Sequence, residues 1–375
     1  MKRKVLVTGG AGFIGSHLVD RLVELGSRVR VFDNLELQVH GGSKTIPKYL
    51  NEECEFVGGD IRNRRELREA LEEIEVVFHQ AAVVGVGQSM YQVHKYIEAN
   101  ALGTANLLEI LANEKHNVER LIVASSMSVY GEGKYKCDSC GPVYPKLRSV
   151  EQLKKRDWEM RCPLCGKHVE GVPTDEEKPL YPTSVYAISK RDQEEMCLTI
   201  GRAYDIPTVA LRYFNVYGPR QALSNPYTGV AAIFSARIKN RHNPIVFEDG
   251  LQGRDFIHVK DIVEANVLAM EKEEANFEVF NVGTGRKLSV LDIANILIKK
   301  LGKDELHPEI VSKYREGDIR HCYADISKIK KKLGYEPKVE FEDGILDLVG
   351  WAKEEEALDR FEESHRELET KGLTL

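Results

Sequence analysis

No stretch of this 375-residue chain comes near the run of about eighteen apolar residues that a membrane-crossing helix needs, so no span is expected. Basic charge is also in short supply. The 53 Lys and Arg face 59 Asp and Glu, a formal net charge of −6, which gives no support to nucleic-acid binding as the main task. The basic Met1-Lys2-Arg3-Lys4 is followed by an apolar run too short for a secretory signal. No internal repeat or low-complexity tract stands out. Cysteine is scarce, seven residues in all, and unevenly placed: four form two Cys-x-x-Cys pairs, while Cys54, Cys197 and Cys322 stand alone. That usage points to a reducing, cytoplasmic setting and a metal site rather than to a disulfide framework. At this length the chain can bury a sizeable core in one large or two modest domains.

What is present is organised around one turn. The apolar run Lys4-Val5-Leu6-Val7-Thr8 leads into Gly9-Gly10-Ala11-Gly12, and Ile14, Leu18, Leu22 and Leu25 then recur at helical spacing. Gly10, Gly12 and Gly15 fit G-x-G-x-x-G in a strand–turn–helix setting. Glycines let backbone N–H groups approach a pyrophosphate, and the helix start behind them adds free donors and the positive end of the helix dipole. A second strand pattern, Arg28-Val29-Arg30-Val31-Phe32, ends in Asp33. A carboxylate there can accept hydrogen bonds from both ribose hydroxyls of NAD and would repel the 2′-phosphate of NADP. NAD is the expected cofactor.

Up to about residue 125, strand-like runs alternate with amphipathic segments. Residues 54–57, 76–79 and 121–125 read as strands, and 65–71 and 91–111 as helices. This alternation predicts an α/β fold with a doubly wound parallel sheet and ligands at the carboxyl ends of the strands. Those ends carry small or polar residues: Gly9, Asp33, Asp60, Ala81-Ala82 and Ser125-Ser126.

The glycine turn, Asp33, Asp60-Ile61, His79-Gln80-Ala81-Ala82, Asn100, the run 125–131 and Tyr186-Ala187-Ile188-Ser189-Lys190 together resemble the extended short-chain dehydrogenase/reductase family. Its members are largely nucleotide-sugar epimerases and dehydratases. Residues 212–219, 254–261 and Arg315-Glu316-Gly317-Asp318 match it too, so the resemblance covers most of residues 4–350. It implies a Rossmann domain over 1–132 and 173–215, with 255–272 packing back on it, and a smaller substrate-binding lobe over 216–254 and 273–375. It implies tightly bound NAD held by Gly9, Gly12, Phe13, Ile14, Gly15, Asp33, Asn34, Asp60, Ile61, Ala81, Ala82, Asn100, Tyr186 and Lys190. It further implies that Asn215, Arg254, Arg315 and Asp318, with Ser126, hold a nucleotide-diphosphate sugar. A homodimer formed through the helices near 91–111 and 186–204 is implied as well, although their apolar stripes could equally be core.

The chemistry has its own rationale. Tyr186 and Lys190 are four residues apart and share one face of a helix. A nearby ammonium and a positive nicotinamide ring are expected to lower the tyrosine pKa, so that Tyr186 can act as a base on a sugar hydroxyl. Ser126 would hydrogen-bond the same oxygen. Family dehydratases carry an acidic pair directly after the serine, and related decarboxylases a Glu at the place of Ser128. Here Met127 and Ser128 stand there, which cannot serve as acid and base for elimination. The reading is a 4-epimerase, which oxidises C4 to a ketone and reduces it on the other face. Residues 83–90, the cysteine insertion and residues 221–230 resemble the dTDP-L-rhamnose 4-epimerase group within the family. UDP-galactose and UDP-glucuronate 4-epimerases, a 4,6-dehydratase and a non-catalytic NAD sensor remain open.

Residues 133–172 are more chain than the family carries at this point. Cys137-Asp138-Ser139-Cys140 and Cys162-Pro163-Leu164-Cys165 are two knuckles suited to tetrahedral zinc, with Gly141 and Gly166 permitting the tight turns. Four thiolates would make the site closed and structural. Nine Lys and Arg against five Asp and Glu fall within 133–172, but few aromatics are interleaved, which argues against nucleic acid. A lid or wall beside the substrate is expected instead. At the end of the chain, 351–375 has a charged helical pattern with Leu358 and Phe361 as expected docking residues.

Overall fold

The computed structural model describes residues 3–374 apart from 43, 316 and 356. Met1 and Lys2 of the basic start, and Glu316 of the Arg315–Asp318 match, therefore lie outside the described residues. Strands form where the chain is apolar on both faces. Lys4–Thr8 (β1), Arg28–Asp33 (β2), Glu55–Gly58 (β3), Val76–His79 (β4), Arg120–Ser126 (β5), Thr208–Tyr213 (β6) and Val279–Val282 (β7) make one seven-stranded sheet, ordered β7-β6-β5-β4-β1-β2-β3. Every pairing in it is parallel. Strand order reverses between β1 and β4, which opens a crevice at their carboxyl ends.

Alternation along each strand supplies two cores. Val5, Val7, Val76, Phe78, Ile122 and Val209 face one side, against the helices Phe13–Glu24 and Val259–Glu271. Leu6, Val77, Leu121, Val123 and Ala210 face the other, against Arg64–Ala70, Gly103–Asn113 and Val185–Ala203. This is the expected doubly wound arrangement. The helical run expected at 91–111 is present but interrupted, with a wide π-turn over Ile97–Leu102.

The smaller lobe collects the helices Val230–Lys239, Val290–Leu301 and Phe341–Glu354 around a separate core. Beside them, Gly253–Arg254 pairs with Leu288–Ser289 on one edge and His321–Cys322 on the other. The expected assignment of all of 273–375 to this lobe is corrected. Residues 279–282 form β7, and Ile319, Ala324, Ile329 and Tyr335 pack into the main core. The reason is that β6 is buried along its whole length, and its outer edge needs a partner strand to satisfy its backbone. Leu358 is also corrected: it is 45% exposed in the link between the last two helices, while Phe361 is buried as expected.

In the insertion, Lys134–Cys137 is the centre of an antiparallel sheet flanked by Gly141–Val143 and Glu170–Val172. Tyr135, Val143, Met160 and Val169 give it a small core of its own with Cys137 and Cys162. Among the described residues, no helix is long and apolar enough to cross a membrane.

Candidate active site

The turn after β1 is built for close approach. Gly9 has φ +68°, and a side chain on it would sit 2.8 Å from the Ala81 backbone at the end of β4. A side chain on Gly15 would sit 2.2 Å from the Gly9 carbonyl oxygen. Gly12 caps the first helix without a side-chain acceptor, so the N–H groups at this helix start are left for a ligand. Asp33 at the end of β2 accepts from the backbone N–H of Ala11 at 3.0 Å and of Leu35 at 2.8 Å. Each carboxylate oxygen keeps acceptor capacity for a hydroxyl. Burial raises the Asp33 pKa, and the Leu35 and Ala11 hydrogen bonds work against that rise. Asp60, at the end of β3, accepts from Asn34 at 2.8 Å and from Arg62 at 2.7 and 2.9 Å. Burial opposes its ionisation, yet these bonds prevail and hold its pKa at about 2. All of these residues, with Phe13, Ile14, Ile61, Ala81 and Ala82, line one cavity of about 410 Å³.

The same cavity takes in Ser126, Tyr186 and Lys190. Tyr186 lies in the first turn of Val185–Ala203, where Ser184 caps the helix by accepting from Ala187 N–H at 3.1 Å. Its ring meets Tyr96 edge-on at 6.4 Å. The side chains are positioned from below. Glu194, on the same helix, accepts from Ser125 Oγ at 2.6 Å and from Arg212 Nε at 3.0 Å, tying the helix to β5 and β6. A second buried chain, Thr8–His79–Thr104–Gln193, ties it to β1 and β4. Burial drives the His79 pKa down to about 3, so its ring is a neutral spacer in this chain.

Among the protein's own groups Lys190 does not lower the Tyr186 pKa; the nicotinamide charge is the other half of that expectation. Burial pushes Tyr186 up to about 12, offset only by a hydrogen bond with Ser126. Lys190 turns its ammonium to the Ala124 carbonyl at 2.8 Å, and burial brings its own pKa down to about 7.

Met127 does not reach the cavity; it packs into the main core, 8% exposed. Ser128 donates its hydroxyl to Ser126 Oγ at 2.9 Å. Asn215 lines the cavity, and its side-chain oxygen is buried without a partner, as is that of Gln221 nearby. The expected placing of Arg254, Arg315 and Asp318 on the substrate is corrected to this extent: none of the three lines the cavity, because protein groups already engage them. Arg254 is paired with Asp318 at 3.1 Å and also donates to the carbonyls of Ile319 and Arg320. Arg315 lies over the Phe247 ring at 4.1 Å, with its Nε unpartnered. Asn100 does not line the cavity. Its amide accepts from Val83 N–H at 2.7 Å and donates to Ser189 at 2.9 Å, fixing the loop after β4 against the Tyr186 helix. In the insertion, the Cys137, Cys140, Cys162 and Cys165 sulfurs all lie within 4.8 Å of one another. Gly141 and Gly166 have φ +75° and +73°, as the knuckle turns require.

Comparison with known proteins decides what this assembly is. The model of the NAD dependent epimerase/dehydratase family matches residues 5–147, and that of GDP-mannose 4,6 dehydratase matches residues 166–348. A dTDP-L-rhamnose 4-epimerase of Burkholderia thailandensis is 35% identical over 360 residues, covering 96% of each chain. The chain belongs to the NAD-dependent epimerase/dehydratase family. The UDP-glucose 4-epimerase of Bos taurus is 31% identical, over 94% of this chain and 97% of the relative. Among solved structures, UDP-glucuronic acid 4-epimerase from Bacillus cereus, in complex with UDP-glucuronic acid and NAD, aligns with TM-score 0.75 and 29% identity, over 93% of this chain and 99% of that one. The protein is therefore an extended short-chain dehydrogenase/reductase and an enzyme of the NAD-dependent nucleotide-sugar epimerase group.

Several cavity residues lie within the motif runs read from the sequence, yet were given no role there. Gln80, Tyr213, Gln221, Asn225 and Tyr227 line it. The orphaned amide oxygens of Asn215 and Gln221 are the strongest signal among them, because a buried acceptor without a partner is costly unless a ligand supplies one. Neither Gln221 nor Tyr227 belongs to a motif whose chemistry can be deduced from spacing alone.

Proposed function

We propose that the enzyme is a nucleotide-sugar 4-epimerase of the dTDP-L-rhamnose type, using one resident NAD per turnover. The observation that carries the reaction type is the set of groups at the β5 end. Ser126 and Tyr186 meet in the cavity that also contains the Asp33 turn, Met127 is withdrawn into the core, and the Ser128 hydroxyl is engaged with Ser126. No carboxylate stands in the two positions that an elimination would use.

The glycine cradle, the open helix start and the acceptor capacity of Asp33 fit a dinucleotide, with the pyrophosphate over Gly12–Gly15 and a ribose on Asp33. Bound NAD⁺ supplies a hydride acceptor that later returns the hydride. Tyr186 Oη removes the proton of the C4 hydroxyl as hydride leaves C4, and it returns that proton after the sugar has turned over. Ser126 Oγ hydrogen-bonds the same oxygen in both half-reactions. Lys190, fixed on the Ala124 carbonyl, lines the same cavity and would hold a ribose of the dinucleotide.

The choice of dTDP-L-rhamnose rests on residues 83–90, of which Val83 and Val84 line the cavity, on 221–230, most of which line it, and on likeness to the Burkholderia enzyme. UDP-glucose and UDP-glucuronate are the competing substrates, favoured by the similarity to enzymes named for them. The test is incubation of the purified enzyme, without added cofactor, with dTDP-L-rhamnose, UDP-glucose, UDP-glucuronate and a 4,6-dehydratase substrate. A product of equal mass epimeric at C4 is expected. Loss of one water would make the enzyme a dehydratase, and no conversion of any sugar would favour an NAD sensor.

The four cysteines fit one zinc ion as a closed structural site. Cys137 and Cys165 sulfurs are 3.6 Å apart, near the roughly 3.8 Å edge of a tetrahedron with Zn–S bonds of about 2.3 Å and far beyond a disulfide bond. A homodimer is supported by apolar side chains left exposed on the two helices concerned, Val93, Ile97 and Leu102 on one and Ile188 on the other.

A further inference from the structure

The insertion touches the rest of the chain through charge rather than through its cysteine core. Arg148 and Glu248 form a bidentate pair with both N···O distances at 2.8 Å, and each side chain is only 1% exposed. Its two Nη groups also reach the Trp158 carbonyl at 3.0 Å and the Asp318 carbonyl at 3.3 Å, while its Nε is buried without a partner. Arg148 thus joins three pieces of chain: its own insertion, the turn at Glu248 in the smaller lobe, and the segment 314–321. A pair so deeply buried is a costly way to attach a surface module, unless it holds something whose exact geometry matters.

What it holds is the segment that carries Arg315 and Asp318. Other insertion-side groups grip the same segment. Glu132 accepts from Arg320 N–H at 2.6 Å, Tyr135 Oη accepts from His321 N–H at 3.2 Å, Glu159 binds the Arg320 guanidinium, and Trp158 packs on Tyr314 at 6.4 Å. The same segment is tied to Arg254 and to the start of the Tyr186 helix. Its Asp318 carboxylate and its carbonyls at 319 and 320 hold the Arg254 fork. Thr183, directly before the cap of the Tyr186 helix, donates to the Gly317 carbonyl at 3.1 Å.

We propose that Arg148 is a positioning residue for nucleotide binding: through its clamp on Glu248 and the Asp318 carbonyl, the cysteine insertion sets Arg254, Arg315 and Asp318 for a nucleoside diphosphate. The inference rests on reading those three residues as the diphosphate and ribose contacts of the proposed substrate. It makes the insertion a wall behind the nucleotide, remote from the sugar carbon and from NAD. Weakening the clamp therefore changes substrate affinity and leaves hydride transfer and NAD retention alone.

The experiment compares wild-type holoenzyme with Arg148→Gln and Arg148→Lys. Binding of UDP and of dTDP is measured by titration calorimetry, with KM, kcat and bound NAD alongside. For whichever diphosphate the wild type binds, Kd is expected to rise about tenfold in Arg148→Gln, with KM following, kcat within about twofold and NAD content unchanged. Arg148→Lys keeps the charge opposite Glu248 but loses the fork, so a smaller rise of about threefold is expected. If Arg148→Gln does not fold, Arg148→Lys decides alone. Unchanged Kd in a folded variant overturns the proposal, as does a fall in kcat at constant KM. A wild-type enzyme that binds neither UDP nor dTDP instead overturns the nucleotide reading, and the clamp's role falls with it.

Discussion

Gly15→Ala and Gly350→Ala are the same chemical change in two helices, and the structure assigns them opposite signs. Helix propensity alone favours both, by about 1 kcal/mol for alanine over glycine in a helix interior. At Gly350, in Phe341–Glu354, a new methyl group would meet nothing within 4 Å. At Gly15 it would stand 2.2 Å from the Gly9 carbonyl oxygen and 2.8 Å from Gly10 Cα. That first contact is about 0.8 Å short of the closest approach a real Cβ makes, and the atom in the way is backbone. Overpacking of this kind costs about 1–3 kcal/mol or more, enough to reverse the propensity gain. The movement that relieves it lifts the start of the helix away from the strand, which is the N–H cradle itself. Melting should therefore fall by up to about 4 °C in Gly15→Ala and rise by about 2 °C in Gly350→Ala, at roughly 2 °C per kcal/mol for a chain of this size. Bound NAD, measured by absorbance after acid release, should drop in the first and stay full in the second. Equal melting temperatures with equal NAD content would refute the reading of Gly15 as the helix–strand contact that makes the cofactor site.

Tyr186→Phe should lower turnover by at least about 10²–10⁴, the range for loss of a general base, while NAD remains bound; full activity would remove Tyr186 from the chemistry. Lys190 titrates at about 7 in the folded chain against an ordinary 10.5. Between those values the unfolded chain holds the proton and the folded chain does not, so stability climbs with pH across that window, by up to about 1.4 kcal/mol per unit. Urea denaturation of nucleotide-stripped protein at pH 7.5 and 9.5 should show this climb reduced by about 2 kcal/mol in Lys190→Met; an identical pH dependence would contradict the buried, neutral lysine. The wild-type slope also contains Lys178, which burial lowers to about 8, but that residue is unchanged in both proteins. Cys165→Ser, or chelation of the wild type, should abolish the bound metal and open 133–172 to proteolysis with NAD content unchanged; protease resistance without metal would mean that the small core of the insertion suffices.

Much of the active site was legible because its parts are local. A glycine turn between a strand and a helix, an acid at the next strand end, a Tyr and a Lys one helical turn apart and two cysteine knuckles each state their geometry within a dozen residues. The parallel, doubly wound character of the sheet follows from the alternation of strand and helix, whereas the strand order is seen only in the structure. Less local features were not legible. The place of 279–282 in the main sheet depends on an open edge left by β6, more than sixty positions earlier in the chain. Met127 and Ser128 are neighbours in sequence, yet one side chain enters the core and the other bonds Ser126.

Amino-acid order alone determined the doubly wound architecture, the acid at the end of the second strand, the placing of Ser126, Tyr186 and Lys190 in one cavity and the cluster of four cysteines, because each depends on spacing that a regular helix, strand or turn converts directly into geometry. Tertiary structure alone decided that Asn100 buttresses a loop, that burial outweighs Lys190 in setting the Tyr186 proton affinity, and that Arg148 locks the insertion onto the segment bearing Asp318. Those outcomes come from desolvation and from contacts between residues up to 170 positions apart, and neither quantity exists until the chain has closed on itself.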